Sequence, residues 1–558
     1  MSVPAAPEDS TSQNSSSQNS SSQSSTSPGG AGSDAGRLDG TQRRLAMLLA
    51  MAMFVLVVDT SIMNVSISAV VRDVGTTVSG VQTAIALEAL VSAAFILIGS
   101  KIGDLFGRKR AYLLGLGGYL VGAVAMTFAT GLTLIVVCWA IIGGLGAALL
   151  LPSMQSLIHG NFPGGERKRV YALVGAAASI AAAVGPLLGG FITTYLSWRV
   201  AFGLEAVVIL VVLSGAGLVK DAPYEGDRAV DPLGAVLSVV GMGGIVLGVL
   251  VWQEGGESVA ALLVIGLAAL LGLARWLVVR HRRGHPTLID PDLFRAPLFR
   301  LGVTGQMLQQ IALGGAMIAL PIFLQMVLGY DAMLAGLSIA PLSLSMFATA
   351  LLAGRRAGRR RPAVVILAGF ALLTVGVAAL LPVVPRADTG WWLALPLVVA
   401  GCGLGLLVSQ LNNYTLSPVS SERVSEAAGV NSATGSFGLS LGLALTGAVM
   451  LASLAIGFTA RTDASDVLPP DDKAQIARAL EDDAQVMSDT QLTELLADEP
   501  PDVADEVLRI NTEVRPLALQ VALVVPLLSG VAGVLVALRM RRRPDPEPND
   551  ATESVLGG

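Results

Sequence analysis

Fourteen stretches of roughly 20 or more apolar residues constrain this sequence more than any other feature. Each is long enough to cross the hydrocarbon core of a bilayer as a helix. Backbone groups in lipid must be hydrogen-bonded within their own segment, so each stretch is expected to be helical. The stretches fall near 44–69, 82–99, 111–130, 132–154, 170–193, 199–219, 232–252, 259–279, 301–328, 332–353, 363–384, 391–412, 427–457 and 516–538. The sequence therefore predicts an all-α polytopic membrane protein with 14 transmembrane helices.

The cations between these stretches follow the positive-inside pattern when the N-terminus is placed in the cytoplasm. An even number of spans then returns the basic C-terminal tail to the same side. We predict a multi-pass protein of the cell membrane with both termini cytoplasmic. The inner segments hold Arg43, Arg44, Lys101, Arg108–Arg110, Arg167–Arg169, Arg280–Arg283, Arg355–Arg361 and Arg539–Arg543.

The remaining segments divide the chain into parts. Residues 1–42 are rich in Ser, Gln and Asn and are predicted to be a disordered cytoplasmic tail. Residues 458–515 hold 15 acids and five cations, with apolar residues at helical spacing. We expect short amphipathic helices there that cover the outer face, with a solvated acidic loop as the alternative. The predicted parts are a six-helix bundle over 43–219, a linker with two extra helices over 220–300, a second six-helix bundle over 301–540 and a cytoplasmic tail over 541–558.

A short charged segment, Gly99–Arg110, joins the second and third predicted spans. Position by position it resembles the hallmark loop of the major facilitator superfamily, and Gly354–Arg361 is a degenerate copy without the acid. The resemblance implies the major facilitator fold, in which two six-helix bundles rock about a central cavity; two additional central helices complete the 14 here. It also implies a latch that joins the halves in the outward-facing state. The residues of this predicted latch are Gly99, Gly103, Asp104, Gly107 and Arg108.

Three carboxyl groups lie inside predicted spans, where a charge is costly unless it is paired or faces a cavity. Asp59 lies in Asp59-Thr-Ser-Ile-Met-Asn64, which resembles a first-helix signature of the 14-helix drug:proton antiporter branch. Glu88 and Glu205 have no cation three or four residues away. We predict Asp59, Glu88 and Glu205 as proton-coupling residues, with structural hydrogen bonding between helices as the alternative for each.

The fifth predicted span contains Gly185-Pro-Leu-Leu-Gly-Gly190. Small residues let helices approach closely, and the proline removes a backbone hydrogen bond. The segment resembles the antiporter motif of the superfamily, which is associated with exporters. Helix packing without a role in export is the alternative. The motif residues are Gly185, Pro186, Gly189 and Gly190.

Two spans depart from the antiporter pattern. In the fourth span, Ala140 and Gly143 stand where the pattern has an arginine and a glutamine. The family links that arginine to proton transfer, so proton coupling in this chain would depend on other groups, such as the carboxyls. In the first span, Ser68 stands where a proline often follows the aspartate.

Uncharged polar residues in the spans are candidates for contact with a substrate. We predict this role for Asn64, Gln306 and Gln310. Amides in such helices join neighbouring helices as often as they bind ligands, and this remains the alternative. Asp331, at the outer boundary of the tenth span, is expected to cap a helix.

Several function classes find no support in the sequence. A P-loop pattern is missing, which argues against an ATP-driven pump. The histidines, His159, His281 and His285, lack metal-ligand spacing, so no metal is predicted. Cys138 and Cys402 lie within apolar stretches and imply no disulfide framework.

We therefore predict a secondary transporter and not an enzyme, without cofactors and without a nucleic-acid partner. It would be a monomer that exports small amphipathic or cationic drugs, or lipophilic metabolites, in exchange for protons. Such activity would confer antibiotic resistance through multidrug efflux. A proton-coupled solute importer and a non-transporting lipid-handling or sensor scaffold on the same fold are the alternatives.

Overall fold

A computed structural model describes residues 39–162, 164–221, 231–253, 256–355, 360–420, 423–469, 473–484, 492, 496 and 500–544. Most of the two predicted tails lies outside these residues, as do 222–230 of the linker and the centre of Gly354–Arg361. The residues from Leu38 onward form one compact unit.

Fourteen long helices in the described residues match the 14 predicted spans. They are α1 (Gly40–Val65), α2 (Val78–Phe106), α3 (Arg108–Thr127), α4 (Leu132–Asn161), α5 (Gly164–Tyr195), α6 (Trp198–Ser214), α7 (Pro232–Gln253), α8 (Val259–Arg282), α9 (Pro297–Ile322), α10 (Ala332–Arg355), α11 (Pro362–Val383), α12 (Ala394–Leu416), α13 (Val424–Ala464) and α14 (Pro501–Arg541).

Thirteen of these helices, among the described residues, are long and apolar enough to cross a membrane. The other is α3, which has 20 residues. It begins with three cations and contains four glycines, and both features lower its mean hydropathy. At 1.5 Å per residue it still extends about 30 Å, the thickness of the hydrocarbon core. The all-helical membrane fold predicted from the sequence is confirmed.

The first six helices meet the last six along two seams. Helix α2 packs on α13, and α5 packs on α10. Within the halves, α1 packs on α5, α9 on α13, and α12 on both α10 and α11. We call the end that carries residues 458–515 the outer end, and the end that carries Gly99–Arg110 the inner end.

The two extra helices, α7 and α8, form a tight pair. A Cβ atom at Gly244 would lie 2.7 Å from the Cα of Gly266, so the small residues permit the close approach of the two backbones. Helix α7 also packs on both α2 and α13. At its outer end the Gln253 amide donates to the Gln82 carbonyl oxygen at 2.7 Å. The pair therefore covers the α2–α13 seam.

The acidic segment 458–515 is organised by extensions of the spanning helices. Helix α13 continues to Ala464, a short helix covers Lys473–Ala484, and α14 begins at Pro501. Arg461 pairs with Glu513 at 2.7 Å and so joins the two extensions. The expectation of short separate helices holds for Lys473–Ala484 alone among the described residues, because α13 and α14 pair with each other beyond their membrane-spanning parts.

This outer segment is docked on the bundle. Leu480, Val507 and Ile510 are buried in the same hydrophobic cluster as Val70 and Val71, which follow α1. Burial of apolar side chains is the main favourable contribution to such docking. The apolar residues at helical spacing thus serve packing over the outer end.

Candidate functional site

Asp59 lies deep in α1 with 1% of its surface exposed. The Tyr119 hydroxyl of α3 donates to its Oδ2 atom. The Trp139 indole Nε1–H of α4 donates to the same carboxyl, at 3.0 Å from Oδ2 and 3.2 Å from Oδ1. Two uncharged donors from neighbouring helices therefore hold the carboxyl, and no ion pair to it exists in the described residues.

A local change in α4 accompanies the position of Trp139. Residues Ile135–Gly143 form wider π-helical turns, which occur often at functional sites. The Trp139 ring packs edge-on against Phe202 of α6, with ring centroids 6.3 Å apart. Phe202 in turn packs edge-on against Trp198, at 6.0 Å. This aromatic stack fixes the indole that contacts Asp59.

Glu205 and Glu88 join Asp59 in one electrostatic cluster. Glu205 is 4% exposed and Glu88 is 8% exposed, and the charge of Asp59 interacts with both. The Oε1 atom of Glu205 is buried without a hydrogen-bond partner in the described residues. An unpaired carboxylate at this depth costs about 2–3 kcal/mol or more. The unpartnered Glu205 oxygen is therefore the costliest of the three carboxyl groups to keep charged.

The structure places the predicted polar contacts on two sides of the bundle. Asn64 is buried, donates to the Thr60 carbonyl oxygen at 2.8 Å, and has a buried Oδ1 atom without a partner among the described residues. Gln306 and Gln310 are half-buried on α9. They face two glycines of α13. A Cβ atom at Gly435 would lie 3.2 Å from Gln306 Nε2, and one at Gly438 would lie 3.3 Å from Gln310 Cβ. These amides thus lie against α13.

Gln309, a polar residue of the same span that was not among the predicted contacts, is 3% exposed and has a buried Oε1 atom without a partner in the described residues. Sequence reasoning missed Tyr119 and Trp139. The position of Trp139 next to Ala140, where the family pattern has an arginine, was the available signal for that residue. We find no comparable local signal for Tyr119.

A hydrogen-bonded contact closes the two halves at the outer end. The Ser68 hydroxyl donates to Gln325 Oε1, and Gln325 Nε2 donates to the Val65 carbonyl oxygen at 3.1 Å. Gln325 lies in a π-helical turn, Phe323–Val327, that extends α9. The Arg515 guanidinium of α14 donates to the next carbonyl oxygen, that of Met326, at 3.0 Å. The outer segment is thus attached to the turn that carries Gln325.

The predicted latch residues form a compact turn at the inner end. Asp104 pairs with Arg108 at 2.6 Å, and Gly107 adopts a left-handed φ of 102° that favours glycine. The Lys109 N–H donates to Asp221 Oδ1 at 3.0 Å, which attaches the turn to the segment after α6. Gly99 lies against the Ala148 backbone, and Gly103 lies near Ser153 and Ala111.

The latch itself remains a prediction. Across the α2–α13 seam, Lys101 of this segment interacts electrostatically with Glu426 of α13. A Cβ atom at Gly429 would lie 3.7 Å from the Leu97 side chain. The halves therefore approach each other at the inner end beside the turn.

The Gly-Pro motif of α5 packs this helix between two others. Gly185 lies against Ser61 of α1, and a Cβ atom at Gly189 would lie 2.9 Å from Ile62 Cα. Gly190 lies against the Ala332 backbone of α10, and the Pro186 carbonyl lies against Gly336. The motif therefore supplies close helix packing both within one half and across the α5–α10 seam. Asp331 caps α10 by accepting from the Leu334 N–H at 2.7 Å, which confirms the predicted cap.

One cluster brings a histidine together with two acids at the inner end. His281 lies 3.6 Å from Asp290 and 3.4 Å from Asp292. Asp290 also pairs with Arg423, and Asp292 pairs with Arg295 at 2.9 Å. Because both carboxylates already have arginine partners, the cluster fits an ion-pair network that joins α8 to the start of α13.

Comparison with known proteins gives this architecture a family. The family model described as Major Facilitator Superfamily matches residues 49–443. The chain belongs to the Major Facilitator Superfamily and is a transmembrane transporter, not an enzyme.

Individual relatives are similar over most of their length. The chain is 28% identical to the "Probable actinorhodin transporter" of Streptomyces coelicolor, over 78% of this chain and 77% of that protein. It is 31% identical to the "Cephamycin export protein CmcT" of Amycolatopsis lactamdurans, over 72% of this chain and 83% of that protein. Among solved structures, a bacterial homologue of the human lysosomal transporter Spinster superposes with a TM-score of 0.62 at 14% identity. The superposition covers 91% of this chain and 100% of the homologue, which supports the fold.

Proposed function

We propose that this transporter exports amphipathic compounds, such as drugs or lipophilic metabolites, in exchange for protons. Asp59 is the central proton carrier, and Glu88 and Glu205 share that role. The observation that carries the proposal is the buried, cation-free environment of Asp59. Each of its described hydrogen-bond partners is uncharged.

The Tyr119 hydroxyl suits a carboxyl that changes its protonation state. A phenol can donate to a charged carboxylate or accept from a protonated one. Rotation of the hydroxyl hydrogen therefore accommodates both states without movement of the ring. Glu205 offers a second buried oxygen that lacks a partner in the described residues, and it interacts electrostatically with Asp59. A proton or a cationic group of the substrate neutralises this cluster.

Alternating access is supported by the contacts between the halves. In this proposal the bundles 43–219 and 301–540 rock about the site, and α7 and α8 move with the α2–α13 seam. The Ser68–Gln325 contact closes the outer end. Asp104 and Arg108 hold the shape of the inner turn as the latch changes partners.

The direction of transport and the class of substrate follow from two supports. The intact packing of Gly185, Pro186, Gly189 and Gly190 matches the exporter motif. The relatives are named for an antibiotic or for its export. Asn64, Gln306, Gln309 and Gln310 offer uncharged hydrogen-bonding groups to a substrate. In this proposal the protein is a monomer in the cell membrane, with both termini in the cytoplasm.

Transport by inverted vesicles tests the proposal. A dye reports the pH inside the vesicles, a proton gradient is imposed, and cationic or neutral amphiphiles are added. We expect the wild type to release protons when a substrate is added, and Asp59→Asn to reduce this signal to that of empty vesicles, because an amide cannot exchange the proton.

Glu257→Gln is the matched control, because Glu257 is an exposed carboxyl at the turn between α7 and α8. It should retain the full response. Substrate-evoked proton release that survives in Asp59→Asn would contradict the assigned carrier. Folded protein that moves no amphiphile in either direction would favour the scaffold alternative.

A further inference from the structure

A groove at the inner end of the N-terminal half has the lining of a lipid site. It lies where the start of α1 meets the end of α6 and encloses about 600 Å³. Ligand sites of small molecules typically have volumes of about 300–1,000 Å³. It is separate from the Asp59 cluster, which lies about three helical turns beyond Leu48 along α1. The lining residues used below are Arg43, Arg44, Met47, Leu48, Gly215 and Leu218.

The groove combines two cations with an apolar wall. Arg43 and Arg44 are exposed, and neither forms an ion pair within the described residues. Met47, one turn further along α1, is 52% exposed and lies beside them. The cations lie at the inner end of the groove and the apolar side chains lie further along α1. This order matches a phosphate headgroup followed by an acyl chain. Arginine recognises phosphate oxygens with a planar set of donors.

Neighbouring acids are engaged elsewhere. Glu166 accepts the Gln42 amide at 2.6 Å, and Asp39 accepts the Gly40 N–H as the cap of α1. The first turn of α1 holds no acid. Cations near a helix N-terminus are disfavoured by the helix dipole, so these arginines do not serve helix stability. A bound anion would offset this cost.

Gly215 shapes the floor of the groove. A Cβ atom there would collide with the Leu48 side chain, so glycine allows Leu48 to pack against the end of α6. Leu218, in the short turn Ala216–Leu218, continues the apolar wall. The apolar floor thus depends on the end of α6 as well as on α1.

We infer that this groove binds one anionic phospholipid of the adjacent leaflet, with its phosphate on Arg43 and Arg44 and its chain along Met47, Leu48 and Leu218. This site is independent of the transport site and of proton coupling. The inference is carried by an apolar groove beside two arginines that have no ion pair within the described residues, since charge alone would also fit a role in setting membrane orientation.

Ligand-dependent thermal stabilisation of the purified full-length protein in detergent tests the inference. The probes are phosphatidylglycerol, phosphatidylcholine with the same chains, and inorganic phosphate. The wild type should be stabilised at lower concentrations of phosphatidylglycerol than of phosphatidylcholine. The double variant Arg43→Gln/Arg44→Gln should bind phosphatidylglycerol about twenty-five-fold more weakly, because each cation contributes a factor of about five.

Arg282→Gln/Arg283→Gln is the matched control, since it removes two exposed inner-end cations outside the groove. It should keep the wild-type affinity. Met47→Trp retains both arginines but fills the groove, and it should also weaken phosphatidylglycerol binding. This variant serves as the test if the arginine variant fails to fold.

Four outcomes would overturn the site. Equal stabilisation by the two lipids would remove the anionic selectivity. An equal loss in the control pair, or an unchanged affinity in Met47→Trp, would indicate diffuse charge attraction instead of a groove. If inorganic phosphate, added without lipid, stabilised the protein as much as phosphatidylglycerol does, the lipid would be excluded as the occupant.

Discussion

Two buried aspartates, Asp59 and Asp231, each accept a hydrogen bond from a tryptophan indole, yet their surroundings differ. Asp231 accepts from Trp276 Nε1 at 3.0 Å and from the Gly234 N–H at 3.0 Å. It also has Arg280 at 3.7 Å. Asp59 accepts from a phenol and an indole, and the charged groups that interact with it are acids.

This difference separates a structural carboxylate from one suited to proton exchange. Backbone donors and a cation contact Asp231, and that carboxyl group ties the start of α7 to α8 and to the Leu288 N–H. Without a cation, Asp59 can lose its charge at little electrostatic cost. Burial and a tryptophan partner alone therefore do not identify a functional carboxyl. We propose that the charge of the other neighbours distinguishes the two carboxyls.

The largest expected effect is on folding, and it comes from Asp231. Asp231→Asn should lower the free energy of unfolding by about 2 kcal/mol, because it removes the carboxylate partner of Arg280, which retains its bond to the Pro286 carbonyl oxygen, and weakens the bonds to α7. Asp59→Asn should cost less than about 1.5 kcal/mol, since no cation is left unpaired. Denaturant unfolding of the purified proteins measures both values.

Folded Asp231→Asn protein should still couple transport to protons in the vesicle assay. Equal losses of stability in the two variants would remove the distinction between the two aspartates. So would loss of coupling in Asp231→Asn with its fold intact.

A second, smaller effect is expected from the tryptophans. Trp139→Phe keeps a ring against Phe202 and removes the indole donor to Asp59. A hydrogen bond to a charged group contributes about 1.5 kcal/mol or more, so proton-coupled transport should fall about tenfold. Initial rates of dye recovery, measured over a range of pH, provide the readout.

Trp276→Phe is the matched control, because it removes the same donor from Asp231. It should lower thermal stability and leave the pH profile of transport unchanged. A structural role for Trp139 would instead reduce stability without changing that profile.

Much of the fold was predictable because it depends on local composition. Apolar stretches of spanning length define the helices, and the Gly-Pro motif of α5 predicts close packing that Gly190 and Gly336 realise across the α5–α10 seam. The depth of Asp59 in α1 is likewise a local property. The predicted division into two bundles and the latch stay predictions.

The partners of the carboxyls were not predictable, because they come from helices distant in sequence. Tyr119 lies 60 residues from Asp59, and Trp139 lies 80 residues away. The absence of an arginine at Ala140 predicted that other groups would be needed there. It did not indicate that the adjacent side chain, turned by the π-helical segment of α4, would supply a neutral donor.

The smallest effect is expected at the outer closure, where Ser68 replaces the proline of the family pattern. Ser68→Ala removes the hydroxyl that donates to Gln325, a bond expected to contribute about 1 kcal/mol. The outer end should then open about five times more often. A cysteine at the buried position of Asn64, four residues before Ser68, reports opening through its reaction with a water-soluble thiol reagent in a Cys138→Ser/Cys402→Ser background.

Ser453→Ala provides the comparison, since the Ser453 hydroxyl donates within its own helix to the Val449 carbonyl oxygen at 2.7 Å. It should leave the labelling rate unchanged.

The roles of Asp59 and of the outer closure can then be separated, because Ser68→Ala should alter access to the site while the pH dependence set at Asp59 stays constant. A shift in that pH dependence would mean that the closure and the carboxyl cluster act as one unit. An unchanged labelling rate would mean that the packing of α5 on α10 closes the outer end without Ser68.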